Sequence, residues 1–402
     1  MYEEIPKLND LLKGYFDGEI IKQSISLLTA AGENYGSLML KVDVTVKNNS
    51  GKEEIIPTVA KCVPTNEKMR EIFSTHVTFK NEIGWYQQVI PAFLQFQREQ
   101  GVENIADFFM NIYGARISLN PESKEVDQHG VILCENLHVR RFTNVDRRIG
   151  FNLDQAREII KKLAIFHAMS LGLKIKKPEL FNEKVKTFVS TLTYDGPKKK
   201  NEFYLGPINV IKENPETSHL ASRFEDKIKS TIEQEVKKSR ELWSTAIHTD
   251  FWVNNVMIKE TEETLGIIIL DLQTCGYASV VQDLIFFLGT SIENATTNEH
   301  FSEFIKLYYN ELITNLESLK VDTSQFSYES FEEELKLEAA GQLIHILFMI
   351  PIILAEKGSG VNTNDKEFNP SEGLEKMFRN ITEKHREKWA VLAAKFAEQN
   401  WI

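Results

Sequence analysis

The spacing of apolar residues changes along the chain, from every second position to the three- and four-residue spacing of helices. In Leu38–Val46 every second residue is apolar, which predicts a strand with one buried face. Ile20–Thr29 and Glu54–Cys62 have similar patterns, and Asn48–Gly51 is typical of a hairpin turn. Leu153–Leu171 has apolar residues at helical spacing and predicts an amphipathic helix. A small antiparallel sheet is therefore expected first, and helices later.

The same patterns place the remaining elements. We predict a short helix over 7–16, a helix from about Asn66 to Gln88 that Pro91 ends, strands around Asn111–Leu119 and Gly130–Cys134, a long helix over 217–243, a hairpin of Val256–Lys259 and Leu265–Leu272, and helices over roughly 298–319, 328–357 and 371–399. The 402 residues are enough for two lobes. We expect an N-terminal lobe over 1–137 and a mainly helical C-terminal lobe over 138–402.

The composition is that of an ordinary globular protein, and the net charge of −11 argues against nucleic acid as the main partner. The cysteines, Cys62, Cys134 and Cys275, are far apart and indicate free thiols in a reducing compartment. The N-terminus lacks a signal-peptide pattern, and the longest apolar run, Leu343–Ala355, is shorter than a membrane span and contains Pro351. We therefore expect a cytoplasmic protein without a membrane span. No oligomeric state follows from the sequence.

Two features of the first part could form a phosphate site. The turn between the first two predicted strands contains Gly32, Glu33, Asn34, Tyr35, Gly36 and Ser37. Glycines allow backbone N–H groups to approach a phosphate closely, although an ordinary hairpin turn has the same composition. Lys61 lies in an otherwise apolar strand, where a charged side chain normally needs a partner. The alternative is a lysine that faces water from an edge strand.

A glutamate and a linker extend this candidate site. Glu82 lies on the predicted helix after Lys61 and could reach back to its ammonium group, and Glu71 on the same helix is the alternative. An apolar strand that becomes polar abruptly contains Leu133, Cys134, Glu135, Asn136 and Leu137. The backbone of such a linker can hydrogen-bond the edge of an adenine, but a simple strand end would have the same pattern.

The candidate chemistry is concentrated in His248–Asn255, which reads His-Thr-Asp-Phe-Trp-Val-Asn-Asn. Asp250 and Asn255 lie in this stretch, and Asp271 ends the second strand of the hairpin that follows. Phosphoryl transfer needs a carboxylate beside the attacking hydroxyl and oxygen ligands for Mg²⁺. A loop followed by a hairpin can bring these three groups together, although such residues also occur in plain turns. His167 is expected to be a core histidine with one hydrogen bond.

These stretches, in this order, resemble the protein-kinase-like fold in its small-molecule branch, which includes aminoglycoside and choline kinases. The sequence is most similar to the ecdysteroid-kinase-like family of insects, also called the CHK-kinase-like group. The resemblance is carried by Gly32–Ser37, Val59–Pro64, His248–Met257, and Ile269–Gln273 followed by Asp283-Leu284. It implies a bilobal α+β fold, with a small antiparallel sheet and one main helix in the N-terminal lobe and a larger, mainly helical C-terminal lobe.

The resemblance also implies ATP and Mg²⁺ as cofactors and a role for each candidate residue. Asp250 would be the catalytic base, Asn255 and Asp271 the Mg²⁺ ligands, Lys61 the contact to the α- and β-phosphates, Glu82 its ion-pair partner, Gly32–Ser37 the cover of the phosphates, Leu133–Leu137 the adenine site, and His248 and Asp283 structural supports. Two positions depart from the family. Thr249 stands where glycine is common, which could strain a turn with a positive φ, and Leu272 replaces the commoner phenylalanine.

We therefore expect a kinase that phosphorylates a hydroxyl group of a small molecule, such as an ecdysteroid or an apolar xenobiotic. Asp283–Leu288 is predicted to start a helix, and a peptide substrate is disfavoured because only Leu272–Gln282 separates Asp271 from it. Two alternatives stay open: a choline- or aminoglycoside-type kinase with a cationic acceptor, and a non-catalytic nucleotide- or steroid-binding protein. Apolar residues that would suit a steroid, and are equally typical of a helical core, are Phe286, Phe287, Ile346, Phe348, Met349 and Ile353.

Overall fold

The N-terminal part of the chain forms an antiparallel sheet. The computed structural model describes residues 4–16, 18–28, 37–190, 202–233, 240–356 and 380–402. The five strands of this sheet are β1 (Gly18–Leu27), β2 (Leu38–Asn48), β3 (Glu53–Cys62), β4 (Ile112–Arg116) and β5 (Val131–Glu135), in the order β1-β2-β3-β5-β4. The predicted strands and the hairpin between β2 and β3 are confirmed.

The alternation of residues in β2 places one face of the sheet in a core. Leu40, Val42 and Val44 are at most 2% exposed and pack with apolar residues of a short helix, α1 (Leu8–Leu11). The prediction of a helix over 7–16 was too long, because Gly14 takes a φ of 88°, outside the helical region. The short helix still covers the apolar face of the sheet.

The predicted helix from Asn66 to Gln88 is interrupted, and it does not end at Pro91. The segment contains α2 (Glu67–Ile72), α3 (Thr75–Gly84), a π-helical turn at Trp85–Val89 and α4 (Ile90–Gln100). Ser74 takes a φ of 46° and separates α2 from α3. Pro91 lies in the first turn of α4, where the missing N–H group of proline is tolerated. The helical chain therefore continues past Pro91 to Gln100.

The rest of the chain is mainly helical. Its α-helices are α5 (Leu153–Lys176), α6 (Pro178–Lys184), α7 (Glu202–Glu213), α8 (Ala221–Glu233), α9 (Val281–Thr290), α10 (Asn294–Ser318), α11 (Tyr328–Leu354) and α12 (Glu383–Glu398). Two pairs of short antiparallel strands lie among them: β6 (Ser244–Ile247) with β9 (Gly276–Ser279), and β7 (Val256–Glu260) with β8 (Leu265–Ile269). The predicted bilobal α+β class, with a sheet first and a helical part after it, is confirmed. The division at residue 137 stays a prediction.

Two predicted helices differ from those in the structure. The helix expected over 217–243 begins with a 3-10 turn and ends in its described part at Glu233, and residues 240–243 form a turn instead. Trp243 lies in this turn, where its buried ring packs on Phe331 and its Nε1 donates a hydrogen bond to Ser330 Oγ at 3.1 Å. Of the helix expected over 371–399, residues 371–379 lie outside the described residues, and α12 begins at Glu383.

Among the described residues, one helix could cross a membrane by length and composition alone. This helix is α11, in which a window of 18 residues has a mean hydropathy of 1.9. Pro351 lies inside this helix, and the helix predicted over 328–357 is confirmed as far as Leu354. Half of the apolar window is buried in the fold, and buried residues of α11 belong to the main core of the helical part. A core helix has these properties, so the expectation of no membrane span is not contradicted.

Candidate active site

Lys61 lies at the centre of a buried cluster of charges. It is on β3, which has neighbours on both sides, and its side chain is 9% exposed. Its Nζ lies 2.6 Å from Oε2 of Glu82 and 2.6 Å from Oδ1 of Asp271. Glu82 comes from α3, and Asp271 comes from a position 210 residues away in sequence. The fold therefore joins three candidate residues at one point, while Glu71 is exposed on α2.

The two carboxylates determine the charge of Lys61. Burial would lower the pKa of the lysine, but the charges of Asp271 and Glu82 and their hydrogen bonds outweigh burial and raise this pKa above its usual value. Burial raises the pKa of Glu82, against the opposing effect of Lys61. The lysine is therefore a permanent cation, and two acidic groups share it.

Asp271 has an uncommon backbone conformation. Its φ of 62° and ψ of 60° lie in the left-handed region, which aspartate tolerates better than most residues. It stands between β8 and a 3-10 turn at Leu272–Thr274. Oδ1 contacts Lys61, and Oδ2 accepts a hydrogen bond from Nε2 of Gln273 at 3.2 Å. Its side chain is 28% exposed, against 3% for Glu82, so Asp271 is on the open side of the cluster.

Asp250 and Asn255 lie side by side on the loop between β6 and β7. Nδ2 of Asn255 donates to the backbone oxygen of Asp250 at 2.9 Å and to its Oδ2 at 3.0 Å. A 3-10 turn at Val253–Asn255 brings the two residues together. No described residue donates a hydrogen bond to Oδ1 of Asn255, so this oxygen remains available to a ligand.

The carboxylate of Asp250 also senses Asp271. Burial, and after it the charge of Asp271, raises the pKa of Asp250 to about 6. His248 and the hydrogen bond from Asn255 act in the opposite direction. The two aspartates are therefore close enough to interact, and the cluster contains three acidic side chains and a single lysine.

A buried network supports the loop that carries Asp250. Asp283, in the first turn of α9, accepts hydrogen bonds from the backbone N–H of His248 at 2.7 Å and of Thr249 at 2.8 Å. Nε2 of His167 lies 3.1 Å from Oδ2 of Asp283, and Nδ1 lies 2.6 Å from the hydroxyl of Tyr308. The prediction of a single hydrogen bond for His167 was wrong, because α9 and α10 place polar groups on both sides of the ring. The histidine thus connects the loop to the helical core.

His248 and Thr249 connect the loop to the segment around Asp271. Nε2 of His248 lies 2.8 Å from the backbone oxygen of Leu270, and this nitrogen donates because a carbonyl only accepts. Thr249 has a φ of 66°, and its Oγ1 donates to the backbone oxygen of Thr274 at 2.9 Å. A residue other than glycine therefore occupies a left-handed position here, and its hydroxyl group ties the two segments together.

The candidate adenine linker follows β5. Leu133, Cys134 and Leu137 are at most 5% exposed. The backbone N–H of Glu135 is already used, because it donates to the backbone oxygen of Asn111 at 3.1 Å. The backbone N–H groups of Asn136 and Leu137 donate no hydrogen bond to another described residue. A donor for an adenine edge is therefore available after Glu135, and not at it.

Of the candidate phosphate turn, Gly32, Glu33, Asn34, Tyr35 and Gly36 lie outside the described residues. Ser37 is half-buried just before β2.

The donor set fits a magnesium ion that phosphates help to hold. In the described part of the chain, no group of three or more His, Cys, Asp or Glu side chains could hold a metal by itself. Mg²⁺ is commonly bound by one or two carboxylates together with substrate phosphates and water. Asp271 and the amide oxygen of Asn255 supply oxygen ligands of this kind, and the surplus of negative charge favours a cation.

Several residues that support the site were not predicted from the sequence. Gln273 and Tyr308 contact Asp271 and His167, as described above. Oγ of Ser291 accepts a hydrogen bond from the backbone N–H of Val253 at 3.1 Å. These contacts join residues that are far apart in sequence, and no spacing in the chain indicates them. Only Gln273 had a signal, since it follows Asp271 directly.

Comparison with known proteins identified one family. The chain matches the model of the ecdysteroid kinase-like family over residues 31–321. A comparison with curated proteins found no match.

Solved structures with a similar course of the chain include three kinases of small molecules. A microcompartment-associated aminopropanol kinase has 11% identity and a TM-score of 0.42, with 95% of this chain and 94% of that chain covered. An ethanolamine kinase of Plasmodium vivax has 12% identity and a TM-score of 0.39, with coverages of 94% and 84%. A choline kinase of Cryptosporidium parvum has 11% identity and a TM-score of 0.42, with coverages of 94% and 91%.

The family match decides the assignment, because it extends from the candidate phosphate turn past Asp271 and Asp283 and covers more than half of the chain. It confirms the resemblance inferred from the sequence motifs. It also confirms, at the level of the family, the prediction of a small-molecule kinase, a phosphotransferase with an alcohol group as acceptor. The chain belongs to the ecdysteroid kinase-like family.

Proposed function

We propose that this protein transfers the γ-phosphoryl group of Mg²⁺-bound ATP to a hydroxyl group of a small apolar molecule, such as an ecdysteroid or an apolar xenobiotic alcohol. One observation carries the proposal: Nζ of Lys61 lies 2.6 Å from both Glu82 and Asp271. A lysine between an inner and an outer carboxylate is arranged to bind an anion beside a cation. The triphosphate of ATP and its metal ion supply these two charges.

In this proposal Lys61 contacts the α- and β-phosphates, and Glu82 holds the ammonium group in place. The burial of Glu82 behind the lysine supports this division, because the open side of the cluster is the side of Asp271. Gly32–Ser37 would cover the phosphates. Leu133–Leu137 would hold the adenine, with the unused backbone N–H groups of Asn136 and Leu137 as donors.

Asn255 and Asp271 would hold the magnesium ion. When bound, the ion neutralises the charge that develops on the β- and γ-phosphates. Two features support these ligands. Oδ1 of Asn255 accepts no hydrogen bond from a described residue, while Nδ2 is fixed by Asp250. Asp271 and Glu82 both pair with the single ammonium group of Lys61, so the cluster has an excess of negative charge that can bind a cation.

Asp250 is the proposed catalytic base. It orients the acceptor hydroxyl and takes its proton as the oxygen–phosphorus bond forms and the bond from phosphorus to the leaving ADP oxygen breaks. The amide of Asn255 fixes Oδ2 of Asp250, which leaves Oδ1 for the hydroxyl. A pKa raised to about 6 makes the carboxylate a stronger base than an ordinary aspartate, while it stays mostly ionised at neutral pH.

The proposed apolar acceptor rests on the family, and not on the apolar residues singled out from the sequence. Phe286, Phe287, Ile346, Phe348 and Ile353 are at most 5% exposed, and Met349 is partly buried. These side chains are core, as the alternative interpretation held. Ecdysteroids are the acceptor class that the description of the family suggests.

Mass spectrometry of acceptors incubated with ATP and Mg²⁺ tests the function. Ecdysteroids, plant glycosides and choline form the panel, and a phosphate mass shift on an ecdysteroid or another apolar alcohol is expected. The variant Asp250→Asn should lower the rate by about 10²–10⁴-fold, because it removes the base. Asp154→Asn is the matched control, since this side chain is 93% exposed on α5, and it should keep wild-type activity.

Two results would contradict the proposal. If the wild type and Asp250→Asn are equally inactive with every acceptor, the protein is not a kinase of these molecules, and a binding function replaces it. If choline is phosphorylated and no apolar alcohol is, the kinase assignment stands and the apolar acceptor is wrong.

A further inference from the structure

A short segment between α6 and α7 contacts both elements that carry the partners of Lys61. This segment, Lys186–Ser190, begins with a 3-10 turn and precedes the part of the chain that the structure leaves undescribed. We propose that it is a clamp that fixes Glu82 and Asp271 relative to Lys61 and thereby sets the affinity for ATP, with Phe188 as its main positioning residue. The inference rests on the proposed function in one respect, that Lys61 binds the nucleotide.

On one side the clamp grips α3 directly after Glu82. The ring of Phe188 lies so close to Gly84 that a Cβ atom at this glycine would be 2.0 Å from Cδ1, 2.3 Å from Cε1 and 2.4 Å from Cγ of the ring. Only glycine therefore allows the ring and the helix to approach in this way. The neighbouring Trp85 is fully buried, and its Nε1 donates a hydrogen bond to the backbone oxygen of Phe188 at 3.0 Å.

On the other side the clamp holds the stretch that follows Asp271. The backbone N–H of Ser190 donates to the oxygen of Cys275 at 2.6 Å, and Ser190 forms an isolated parallel bridge with Gly276. Cys275 is four residues after Asp271 and is fully buried. The 3-10 turn Leu272–Thr274 lies between them and packs against α3. Both partners of Lys61 are thus fixed, within four residues, to one five-residue segment.

The helix itself changes geometry where the clamp binds. The π-helical turn Trp85–Val89 starts at the residue that donates to Phe188. Such turns are rare and occur frequently at functional sites. Here Trp85 contacts the clamp, and Glu82, three residues earlier on α3, contacts Lys61. The position of Glu82 is therefore fixed by contacts within the protein itself.

Substitutions at Gly84 and Phe188, singly and together, test the clamp. Gly84→Ala places a methyl group in the ring, Phe188→Ala removes the ring, and the double variant has room for the added methyl group. Gly341→Ala is the matched control, since it adds the same group to a helix where no atom lies within 4 Å of the new Cβ. The dissociation constant of Mg²⁺-bound ATP, the KM values of ATP and acceptor, kcat and the melting temperature are measured for all four variants and the wild type.

Gly84→Ala should weaken ATP binding by tenfold or more, and Phe188→Ala by a smaller factor, while the KM of the acceptor stays within twofold. The double variant should bind ATP no more weakly than Phe188→Ala alone, and Gly341→Ala should equal the wild type. A purely structural contact would lower the active fraction and leave the KM of ATP unchanged. The clamp is refuted if Gly84→Ala binds ATP as tightly as Gly341→Ala, or if the losses of the single variants multiply in the double variant. If Gly84→Ala does not fold, Phe188→Ala decides in its place, and unchanged ATP affinity there refutes the clamp.

Hydrogen exchange separates the clamp from the proposed function, because it needs no nucleotide. In Phe188→Ala, backbone amides of α3 and of 272–276 should lose protection together, although they belong to different parts of the fold. Loss in only one of the two segments overturns the clamp even if the protein is a kinase. If both segments lose protection but the protein does not bind ATP, the clamp still couples the two segments mechanically. Its role in nucleotide affinity and the proposed function are then both wrong.

Discussion

Thr249 compensates within one residue for the strain of its own backbone. A β-branched residue with a φ of 66° carries a strain of about 1–3 kcal/mol. The hydrogen bond from its Oγ1 to the oxygen of Thr274 returns about 0.5–1.5 kcal/mol. Since the two terms have similar size, the departure from the family's usual glycine is tolerated in the loop that carries Asp250.

The order of two substitutions at this position follows. Thr249→Ala keeps the unfavourable backbone conformation and loses the hydrogen bond, so it should lower the free energy of unfolding by about 1 kcal/mol. Thr249→Gly loses the same bond but relieves the strain, so it should stay within about 0.5 kcal/mol of the wild type or exceed it. Urea unfolding of both variants measures the difference. An alanine variant as stable as the glycine variant would show that the position is not strained.

Some residues of the site were easier to predict from the sequence than others. Lys61 could be recognised as a charged residue in an apolar strand, and Asp250 and Asp271 because one loop and the hairpin after it bring them together. Glu82 was visible only as one of two glutamates on a helix, and the fold chose between them. Phe188 has no such signal, because a phenylalanine beside a helix is ordinary until the glycine opposite it is known. Contacts of this kind depend on packing between distant segments, which a local pattern does not contain.

At the scale of elements, α12 begins with a cap that requires a neutral histidine. Nδ1 of His385 accepts a hydrogen bond from the backbone N–H of Thr382 at 3.1 Å, so this nitrogen must be unprotonated. The side chain is 3% exposed, and burial lowers the pKa of His385 to about 4. Protonation would break the cap and place a charge in an apolar environment.

This arrangement makes stability depend on pH in a defined direction. The pKa of His385 is near 6.5 when unfolded and about 4 when folded, so the unfolded chain binds the proton first and stability is lost as the pH falls through this window. The loss between pH 7.5 and pH 5 should be about 2 kcal/mol from this residue. His385→Gln keeps an acceptor suited to the capping position and does not titrate. Denaturation of both proteins at the two pH values should show a smaller loss for the variant, and an equal loss would contradict the buried neutral histidine.

Element boundaries were predicted less well than element types. Strict alternation gave β2 correctly, because a half-buried strand needs it. The break between α2 and α3 at Ser74 and the π-helical turn at Trp85–Val89 were not foreseen. Ser74 is the N-cap of α3, and the π-helical turn begins at Trp85, which donates a hydrogen bond to the distant Phe188. Such interruptions are imposed by tertiary packing, which overrides local preference.

For the whole molecule, ATP and Mg²⁺ should stabilise the fold only together. At concentrations of about 100 times the dissociation constant, bound ligand adds about 2.7 kcal/mol to the free energy of unfolding. ATP without Mg²⁺ leaves its phosphates facing Asp271 and Asp250, so the gain should be much smaller. Asp271→Asn should lose the dependence on Mg²⁺, while Asp154→Asn keeps it. Melting curves with each ligand alone and with both test this, and equal shifts with ATP alone would exclude the proposed metal ligands.

The general architecture was the most predictable level. A change from alternating to helical spacing along 402 residues is a property of many positions at once, and single errors at Pro91 or near residue 243 do not alter it. The helical part could not be resolved further from the sequence, because its buried residues satisfy several arrangements of helices equally well. The network of Asp283, His167 and Tyr308 selects one arrangement, since its polar groups must meet.

Because the chain is synthesised from its N-terminus, Lys61 and Asp271 are made at different times. Lys61 and Glu82 are made within 21 residues of each other, and their opposite charges pair in the folded protein. Asp271 follows about 190 residues later and adds a second negative charge to a pair that is already neutral. When Asp271 joins Lys61 and Glu82, the net charge of the three side chains changes from zero to −1. The completed site therefore favours a bound cation, because Lys61 balances only one of its two carboxylate partners.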